Sequence, residues 1–153
     1  MKTTIKTLLF SLLLASVFLA CKKKSIEEDS PKDVLYGNWH EARNGSNSLR
    51  ILSFGTGGKF SMKLTDSIGA ANYGTLNGNY VLKGDSIQVR ILESIDPANG
   101  KQVKTAVNYK IFDYAVIKFT NQTKIQMDID YITYPADGPV PTHARFNKIL
   151  AID

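Results

Sequence analysis

Apolar and polar side chains alternate in short segments along most of the chain after residue 34. In KFSMKL (59–64), Phe60 and Met62 fall on one side of an extended backbone and Ser61 falls on the other. SIQVRI (86–91) repeats this pattern. A period of two is typical of a β-strand with one buried and one solvent-facing side. No window shows the sustained 3.6-residue period of an amphipathic helix, so the pattern predicts strands.

Turn-forming residues separate these segments into a regular series. The segments are Tyr36–Ala42, Ser48–Phe54, Lys59–Thr65, Gly78–Lys83, Ser86–Glu93, Lys104–Phe112, Ala115–Thr120, Lys124–Ile132 and Thr142–Leu150. Glycines at 55, 57 and 58, the Gly84-Asp85 pair and Asn121 favour tight connections. Sequential hairpins form a meander, and closing it removes the exposed sheet edges. We therefore predict an all-β fold: an up-and-down antiparallel β-barrel of about eight strands, with one short helical turn near Pro31 to Leu35.

The first 20 residues have the pattern of an export signal. Residues 1–6 carry two lysines and no acid, and residues 8–20 are apolar except for two serines. A helix that crosses a membrane needs roughly 20 apolar residues, and three lysines at 22–24 stop this run well before that length. The pattern predicts a cleaved signal peptide over residues 1–20.

Cys21 is the only cysteine in the sequence and follows the apolar run directly. A disulfide within the chain is excluded without a second cysteine, and a nucleophilic thiol would need a fixed base beside it. The segment Phe18-Leu19-Ala20-Cys21 resembles the lipobox of bacterial lipoproteins, in the looser form of Bacteroidetes-type bacteria. The resemblance implies that Cys21 is acylated through its sulfur and begins the mature protein. An incidental thiol beside a conventional cleavage site is the alternative.

The remaining chain divides into a tether, residues 21–33, and one domain, residues 34–153. KKKSIEEDSPK (22–32) is polar and has no apolar period around which to fold. From residue 33 onward, 13 Lys and Arg stand against 11 Asp and Glu, a net charge of +2. We therefore expect no nucleic-acid partner despite the basic pI. We expect attachment through the N-terminal lipid to a Gram-negative envelope, at the outer membrane and facing the periplasm.

Four segments in order resemble the lipocalin-like domains of small Bacteroidetes lipoproteins. They are LYGNWHEA (35–42), LSFGTGGKFSMKL (52–64), GTLNGNYVLKGDSIQVRI (74–91) and IKFTNQTKIQMDI (117–129). Gly37 and Trp39 match the Gly-x-Trp of that family's first strand, whose tryptophan lies across the closed end of the barrel. The family's hairpin pattern G-x-Y-x-L-x-G-D-x-I is matched by Gly78, Tyr80, Leu82, Gly84 and Asp85. The resemblance also implies that Arg145, from the last strand, packs on the tryptophan.

An eight-stranded barrel is either filled by its own side chains or wide enough to hold one small ligand. The predicted inward-facing residues are Phe60, Met62, Tyr80, Leu82, Val89, Ile91, Tyr109, Met127, Ile129 and Tyr131. An apolar lining with phenolic hydroxyls suits a small hydrophobic or amphipathic ligand. The same residues would equally make a packed core, so both interpretations stay open.

Patterns typical of enzymes and metal sites do not come together in this sequence. GTGGKF (55–60) lacks the Ser or Thr that follows the lysine of a phosphate-binding loop, so we interpret it as a hairpin turn. His40 and His143 could meet only if the first and last strands adjoin, and no further ligands accompany them. Asp128 and Asp130 share one strand face, which we expect to be solvated. We expect no catalytic residue, no metal and no cofactor.

These patterns favour a non-catalytic, monomeric lipoprotein whose barrel binds a small hydrophobic or amphipathic ligand. The alternative is a structural or protein-interaction lipoprotein with a filled barrel, either a component of an envelope complex or an inhibitor-like protein. A deep apolar pocket would favour the first function, and a continuous exposed apolar patch the second. A hydrolase that uses Asp128 or His143 ranks third. The sequence does not identify a protein partner.

Overall fold

The computed structural model describes residues 34–42, 48–66 and 72–150, which form a closed barrel of eight antiparallel strands. Each strand pairs with the next along the chain, and β1 pairs with β8 to close the barrel. The strands are β1 (Gly37–Glu41), β2 (Ser48–Phe54), β3 (Lys59–Asp66), β4 (Asn72–Lys83), β5 (Ser86–Ala98), β6 (Lys101–Phe119), β7 (Gln126–Thr133) and β8 (Val140–Lys148). This architecture confirms the predicted all-β, up-and-down barrel. The predicted signal peptide, Cys21 and the tether lie outside the described residues.

Helical structure is confined to short turns in the part of the chain described. Residues 34–35 are helical just before β1, and Thr56–Gly58 forms a 3-10 turn between β2 and β3. Within these described ranges, no helix has both the length and the apolar character needed to cross a membrane.

Strand bounds follow the predicted segments in β1 to β3, and several later strands are longer. Two predicted strands, Lys104–Phe112 and Ala115–Thr120, are one continuous strand, β6. The pairing with β7 shifts between Asp113 and Val116, and Phe112 and Tyr114 have φ of 54° there. An extra residue in one strand bends it and increases its twist. The break in the alternating pattern therefore marks a bulge within β6, not a turn between two strands.

The up-and-down order places successive connections at opposite ends of the barrel. One end, called the proximal end, carries the connections 55–58, 84–85 and 120–125, together with residues 34–36 before β1 and 149–150 after β8. The other end, called the distal end, carries the connections 99–100 and 134–139, the end of β1, the start of β2, the end of β3 and the start of β4. The described chain therefore enters and leaves the barrel at the same end.

Gly78 lies at a close approach between β4 and β5. A Cβ atom at this position would lie 2.0 Å from the carbonyl oxygen of Arg90, which is far inside contact distance. The pairing between β4 and β5 also shifts between Asn77 and Gly78. A glycine within a strand commonly marks a bulge or a close backbone approach, and both are present here.

One cluster of buried side chains fills the interior of the barrel. Its members are Leu35, Trp39, Leu52, Phe54, Phe60, Met62, Tyr80, Ile87, Val89, Ile91, Phe112, Ala115, Ile117, Met127, Ile129, Tyr131, Ala144 and Phe146. Phe54 packs edge-on against Phe60 and Tyr80, with ring centroids 5.4 Å and 5.1 Å away. Full burial of one large apolar side chain contributes about 1.5–3 kcal/mol. This cluster is therefore the main source of stability in the barrel.

Trp39 is fully buried at the proximal end. Its indole N–H donates a hydrogen bond to the carbonyl oxygen of Leu35 at 2.8 Å. The ring lies 6.1 Å from that of Phe119, centroid to centroid. The Nζ atom of Lys148 lies 5.4 Å from the centroid of the indole ring. The tryptophan of the Gly-x-Trp segment thus joins both ends of the described chain to the core.

The position of Arg145 corrects the prediction that it packs on Trp39. Arg145 follows the buried Ala144 and precedes the buried Phe146, so the period of two directs it outward. Its guanidinium instead forms two hydrogen bonds with the Asp128 carboxylate, of 2.7 Å and 2.9 Å. The cation over the indole ring of Trp39 is instead that of Lys148, the last residue of β8, which is on the inward-facing side of the strand.

Candidate ligand-binding cleft

A cleft lies at the distal end of the pairing between β6 and β7. Their pairing extends only from Phe119 to Asp113, where Asp113 lies opposite Ile132. The cleft has a volume of about 310 Å³. Its lining residues are Arg50, Met62, Lys110, Ile111, Phe112, Asp113, Tyr131, Ile132, Thr133 and Tyr134. The lining is mainly apolar, with the charged side chains of Arg50, Lys110 and Asp113 and several hydroxyl groups at specific points.

Arg50 of β2 borders this cleft and is paired with Glu41 of β1. The register of the two strands pairs His40 with Ile51, which brings Glu41 beside Arg50. The Nε atom of Arg50 donates to Oε2 of Glu41 at 2.8 Å, and its Nη2 atom donates to Oε1. Bidentate arginine–carboxylate pairs are among the stronger polar contacts in proteins. The pair as a whole has no net charge.

Aromatic rings surround the guanidinium of Arg50. Its Cζ atom lies 5.8 Å from the ring centroids of Phe112 and Tyr131, and 5.6 Å from that of Phe146. Burial alone would lower the pKa of Arg50, but the hydrogen bonds to Glu41 and Tyr131 outweigh burial and raise the pKa. The guanidinium is therefore a permanent, fixed cation within an aromatic setting.

Tyr131 provides the second polar group of the cleft. Its hydroxyl oxygen accepts a hydrogen bond from Nη1 of Arg50 at 2.8 Å, and its ring packs edge-on against Phe112 with centroids 4.9 Å apart. A phenolic hydroxyl can accept and donate at the same time. Because Arg50 donates to the hydroxyl oxygen of Tyr131, the hydroxyl hydrogen remains available for an acceptor in the cleft. The cleft can thus hold an apolar group and orient one acceptor atom.

Most of the predicted inward-facing residues lie in the core rather than at the cleft. Phe60, Val89, Ile91, Met127 and Ile129 are buried in the main cluster, and Leu82 is partly buried against it. Met62 and Tyr131 are both core residues and part of the cleft lining. Tyr80 and Leu82 instead border a second cleft, of about 570 Å³, at the proximal end.

Tyr109 differs from the predicted inward set, because it is 42% exposed. It lies opposite Ile91, which is fully buried, so the two residues are on the same side of the sheet. In the described part of the chain, however, β7 pairs with β6 only from Asp113 onward. Tyr109 is therefore left without a neighbouring strand on its other side. Alternation predicts the face of a residue but not whether another strand covers it.

Arg50, Glu41 and Phe112 were missed as candidate site residues. The signal for the first two was present in the strand period: Glu41 has the phase of Trp39, and Arg50 has the phase of Leu52. Two opposite charges in the inward phase of neighbouring strands indicate a buried ion pair. Phe112 gave no such signal, because its place in the cleft depends on the bulge in β6.

A second group of charged side chains lies on the outer face of β6, β7 and β8. His143 Nδ1 lies 2.7 Å from Oδ1 of Asp130, and Lys118 donates to Oδ2 of Asp130 at 3.0 Å. The hydrogen bonds of Arg145 lower the pKa of Asp128, and those of His143 and then Lys118 lower the pKa of Asp130. Each carboxylate has a cationic partner, so this surface forms a network of ion pairs. Asp128 is more buried than predicted, because only 12% of its side chain is exposed.

The two histidines do not form a site together. β1 and β8 adjoin, as predicted for a closed barrel, but His40 lies opposite Asn147 and not opposite His143. Within residues 34–42, 48–66 and 72–150, no group of three or more His, Cys, Asp and Glu is arranged to hold a metal ion.

In comparisons with known proteins, no family model, curated protein or solved structure matches this chain.

Proposed function

We propose that this protein is a lipid-anchored, non-catalytic barrel that binds a small amphipathic molecule in the cleft beside Arg50. The observation that supports the proposal is the mainly apolar lining of a cleft of about 310 Å³ in which Arg50 and Tyr131 provide fixed polar groups. Ligand sites typically have volumes of about 300–1,000 Å³, mostly apolar walls and a few placed polar groups. The cleft is at the lower end of that range, so its ligand is small.

The chemistry of the cleft limits the ligand class further. Arg50 and Lys110 are balanced by Glu41 and Asp113, so the cleft has no net positive charge to attract a carboxylate or phosphate. The hydroxyl of Tyr131 favours a neutral acceptor such as a carbonyl, ether or alcohol oxygen. Met62, Ile111 and Phe112 favour an aliphatic or aromatic body. A neutral molecule with an apolar body and one acceptor head fits best.

The anchor part of the proposal is supported by the sequence around Cys21. The lipobox-like segment, the absence of a second cysteine and the polar tether are typical of a bacterial lipoprotein. The closed eight-stranded barrel agrees with the lipocalin-like resemblance at the level of architecture. We propose the outer membrane of a Gram-negative bacterium, facing the periplasm, as its location.

Native mass spectrometry of the full chain, purified from membranes and incubated with an envelope lipid extract, tests ligand binding. We expect a small bound molecule whose occupancy falls strongly in Ile111→Trp, which adds bulk to the cleft. Val81→Trp is the matched control, because Val81 is exposed and borders the second cleft, at the proximal end. Equal occupancy in both variants, or an empty wild-type protein, would contradict the proposed site. Circular dichroism checks that both variants keep the strand content.

A second candidate function, protein binding by strand addition, is favoured by the edge of β6. In the described structure, residues 101–112 of β6 pair with β5 but have no partner in β7. Residues 101–110 contain three lysines and no acid. An unpaired strand edge can add a strand from another chain, and the lysines favour an acidic one. The same lysines also discourage unspecific edge association.

Photo-crosslinking in intact cells distinguishes this candidate. A crosslinking residue at Gln102 would capture one defined partner, whereas one at Gln88 would not, because β4 and β6 flank Gln88 on both sides. Reversal of charge at Lys101 and Lys104 should then abolish the adduct. Identical products from both positions would remove strand addition from consideration.

A further inference from the structure

The proximal end of the barrel carries five exposed apolar or aromatic side chains. They are Tyr36, Val81, Ile125, Ile149 and Leu150, with exposed fractions between 38% and 60%. Two backbone hydrogen bonds of 2.8 Å hold their segments together: Lys148 N–H donates to the carbonyl of Ile125, and Ile149 N–H donates to that of Asn38. Ile125, Ile149 and the start of β1 are therefore neighbours.

The second cleft extends this apolar region across the proximal end. Tyr36 and Val81 border the cleft, and Tyr80 and Leu82 are also part of its lining. The connection 55–58 borders the cleft as well. We call the surface made by Tyr36, Val81, Ile125, Ile149 and Leu150 the proximal apolar surface.

The charge around this surface is positive. In the described connections of the proximal end and the strand residues that flank them, Lys59, Lys83, Lys124 and Lys148 stand against Asp85, a net charge of +3. In the corresponding described residues of the distal end, Lys101 stands against Glu41, Asp66 and Asp137, a net charge of −2. Even with Arg50 counted against Glu41, the described distal residues carry a net charge of −1, so the described residues of the two ends differ in the sign of their net charge.

The proximal end is also the end at which residue 34 joins the preceding chain. Cys21, the proposed site of acylation, is 13 positions before residue 34 in the sequence. A flexible chain of 13 residues would have a root-mean-square end-to-end distance of about 20 Å. This distance is shorter than the long dimension of many small domains. A lipid on Cys21 would thus keep the proximal end near the bilayer.

We infer that the proximal apolar surface docks on an anionic lipid bilayer, with Tyr36, Ile125, Ile149 and Leu150 at the interface and Lys59, Lys83 and Lys124 beside the headgroups. Tyrosine is favoured at membrane interfaces because its ring is apolar and its hydroxyl stays hydrated. Lysines near an anionic surface add affinity that salt weakens. The orientation rests on the proposed lipid anchor, whereas the surface itself does not.

Docking in this orientation has a consequence for the ligand cleft. Arg50 and Tyr131 belong to the distal half of the barrel, where β2 begins and β7 ends. With the proximal end on the membrane, the cleft beside Arg50 points away from the bilayer. The proposed ligand would then be exchanged with the aqueous compartment and not taken directly from the membrane.

Hydroxyl-radical footprinting of the full, lipidated chain in vesicles tests the inference. The vesicles contain phosphatidylcholine either alone or with phosphatidylglycerol, and the Cys21→Ser chain free in buffer is the membrane-free reference. We expect Tyr36 and Ile149 to be labelled at least about threefold more slowly in the anionic vesicles, with partial recovery at high salt. Tyr134, at the distal end and 59% exposed, should be labelled at an unchanged rate.

A pair of double variants provides the matched comparison. Ile149→Ser with Leu150→Ser should remove the protection of Tyr36, whereas Val103→Ser with Val140→Ser, at exposed distal positions, should preserve it. Unchanged labelling of Tyr36 in the anionic vesicles would overturn the inference. Protection of Tyr36 in intact cells but not in vesicles would also overturn it, and would indicate a protein partner instead.

This experiment tests the lipid anchor and the docking surface independently of each other. The mass of the N-terminal peptide shows whether Cys21 carries lipid, independently of any footprint. If Cys21 carries no lipid, sedimentation of the Cys21→Ser chain with anionic vesicles decides the inference. Salt-sensitive binding that the proximal double variant loses would support it, and no binding would refute it.

Discussion

The Nζ atom of Lys148 lies 5.4 Å from the centroid of the Trp39 indole ring and donates a 2.9 Å hydrogen bond to the carbonyl oxygen of Val34. Trp39 in turn donates to the carbonyl of Leu35. The last strand and the first strand thus hold the same short helical turn from two sides. This arrangement closes the proximal end with residues from both ends of the described chain.

Replacement of Lys148 by methionine should lower the free energy of unfolding by about 1–2 kcal/mol, because one cation–π contact and one hydrogen bond are lost while the apolar stem remains. The fluorescence of Trp39, the only tryptophan in the sequence, should also change in the folded state. Chemical denaturation and emission spectra measure the two effects.

Arg145→Met is the matched control for Lys148→Met. It should also destabilise the barrel, since it leaves the carboxylate of Asp128 without its bidentate partner. It should not change the emission of Trp39, because Arg145 points outward. A changed emission in Arg145→Met and an unchanged one in Lys148→Met would restore the family-based expectation that Arg145 packs on the tryptophan.

Gly78→Ala should destabilise the barrel by at least about 2 kcal/mol, because the added Cβ atom would lie 2.0 Å from the carbonyl oxygen of Arg90 and β4 would have to separate from β5. Gly84→Ala is the comparison. Gly84 has φ of 61° but nothing within 4 Å of an added Cβ, so only the cost of a left-handed alanine applies, about 1–2 kcal/mol. Equal losses in urea denaturation would show that the close approach is not what requires Gly78.

Alternation of side chains predicted the architecture because period two is a local property that the barrel preserves. Phe60 and Met62 of β3 are buried where the pattern placed them. Properties that depend on how neighbouring strands are arranged were not predicted by this pattern. Tyr109 is on the predicted side of the sheet, but β7 does not cover it. The bulge near Phe112 lies within a single strand that had been predicted as two.

The candidate cleft was only partly predictable for the same reason. Met62 and Tyr131 were in the predicted lining, and both border the cleft. Arg50 could have been found from its inward strand phase, since it alternates with Leu52 and Phe54. The cleft itself depends on where the pairing of β6 with β7 ends, which is a property of strand register that the sequence pattern does not show.

Acid should weaken the barrel through Asp128. Hydrogen bonds from Arg145 lower the pKa of Asp128 below its ordinary value of 3.8, so the folded state binds this proton less readily than the unfolded state. The stabilisation is therefore complete above the unfolded pKa and is lost as the pH falls below about 4 toward the folded pKa. Asp128→Asn should be less stable at neutral pH and should lose less stability on acidification, as measured by urea denaturation across the acidic range.

Asp130→Asn is the control for this pH dependence. The pKa of Asp130 is also lowered, first by His143 and then by Lys118, but its side chain is 45% exposed. Exposed ion pairs contribute little because solvent and salt screen them. We therefore expect a smaller change in the acid slope than for Asp128→Asn. An equal or larger change would mean that the exposed network, and not the Asp128–Arg145 pair, sets the acid response.

Tyr131→Phe should weaken ligand binding at the cleft by about threefold to tenfold, since the ligand acceptor loses its hydroxyl donor. It should also lower the free energy of unfolding by about 1 kcal/mol, because Nη1 of Arg50 loses its acceptor. Tyr109→Phe makes the same chemical change on an exposed ring outside the cleft lining and should alter neither quantity. Titration by native mass spectrometry and urea denaturation measure the two effects. Unchanged binding in Tyr131→Phe, with the expected loss of stability, would place the ligand elsewhere and leave the Arg50–Tyr131 contact a purely structural one.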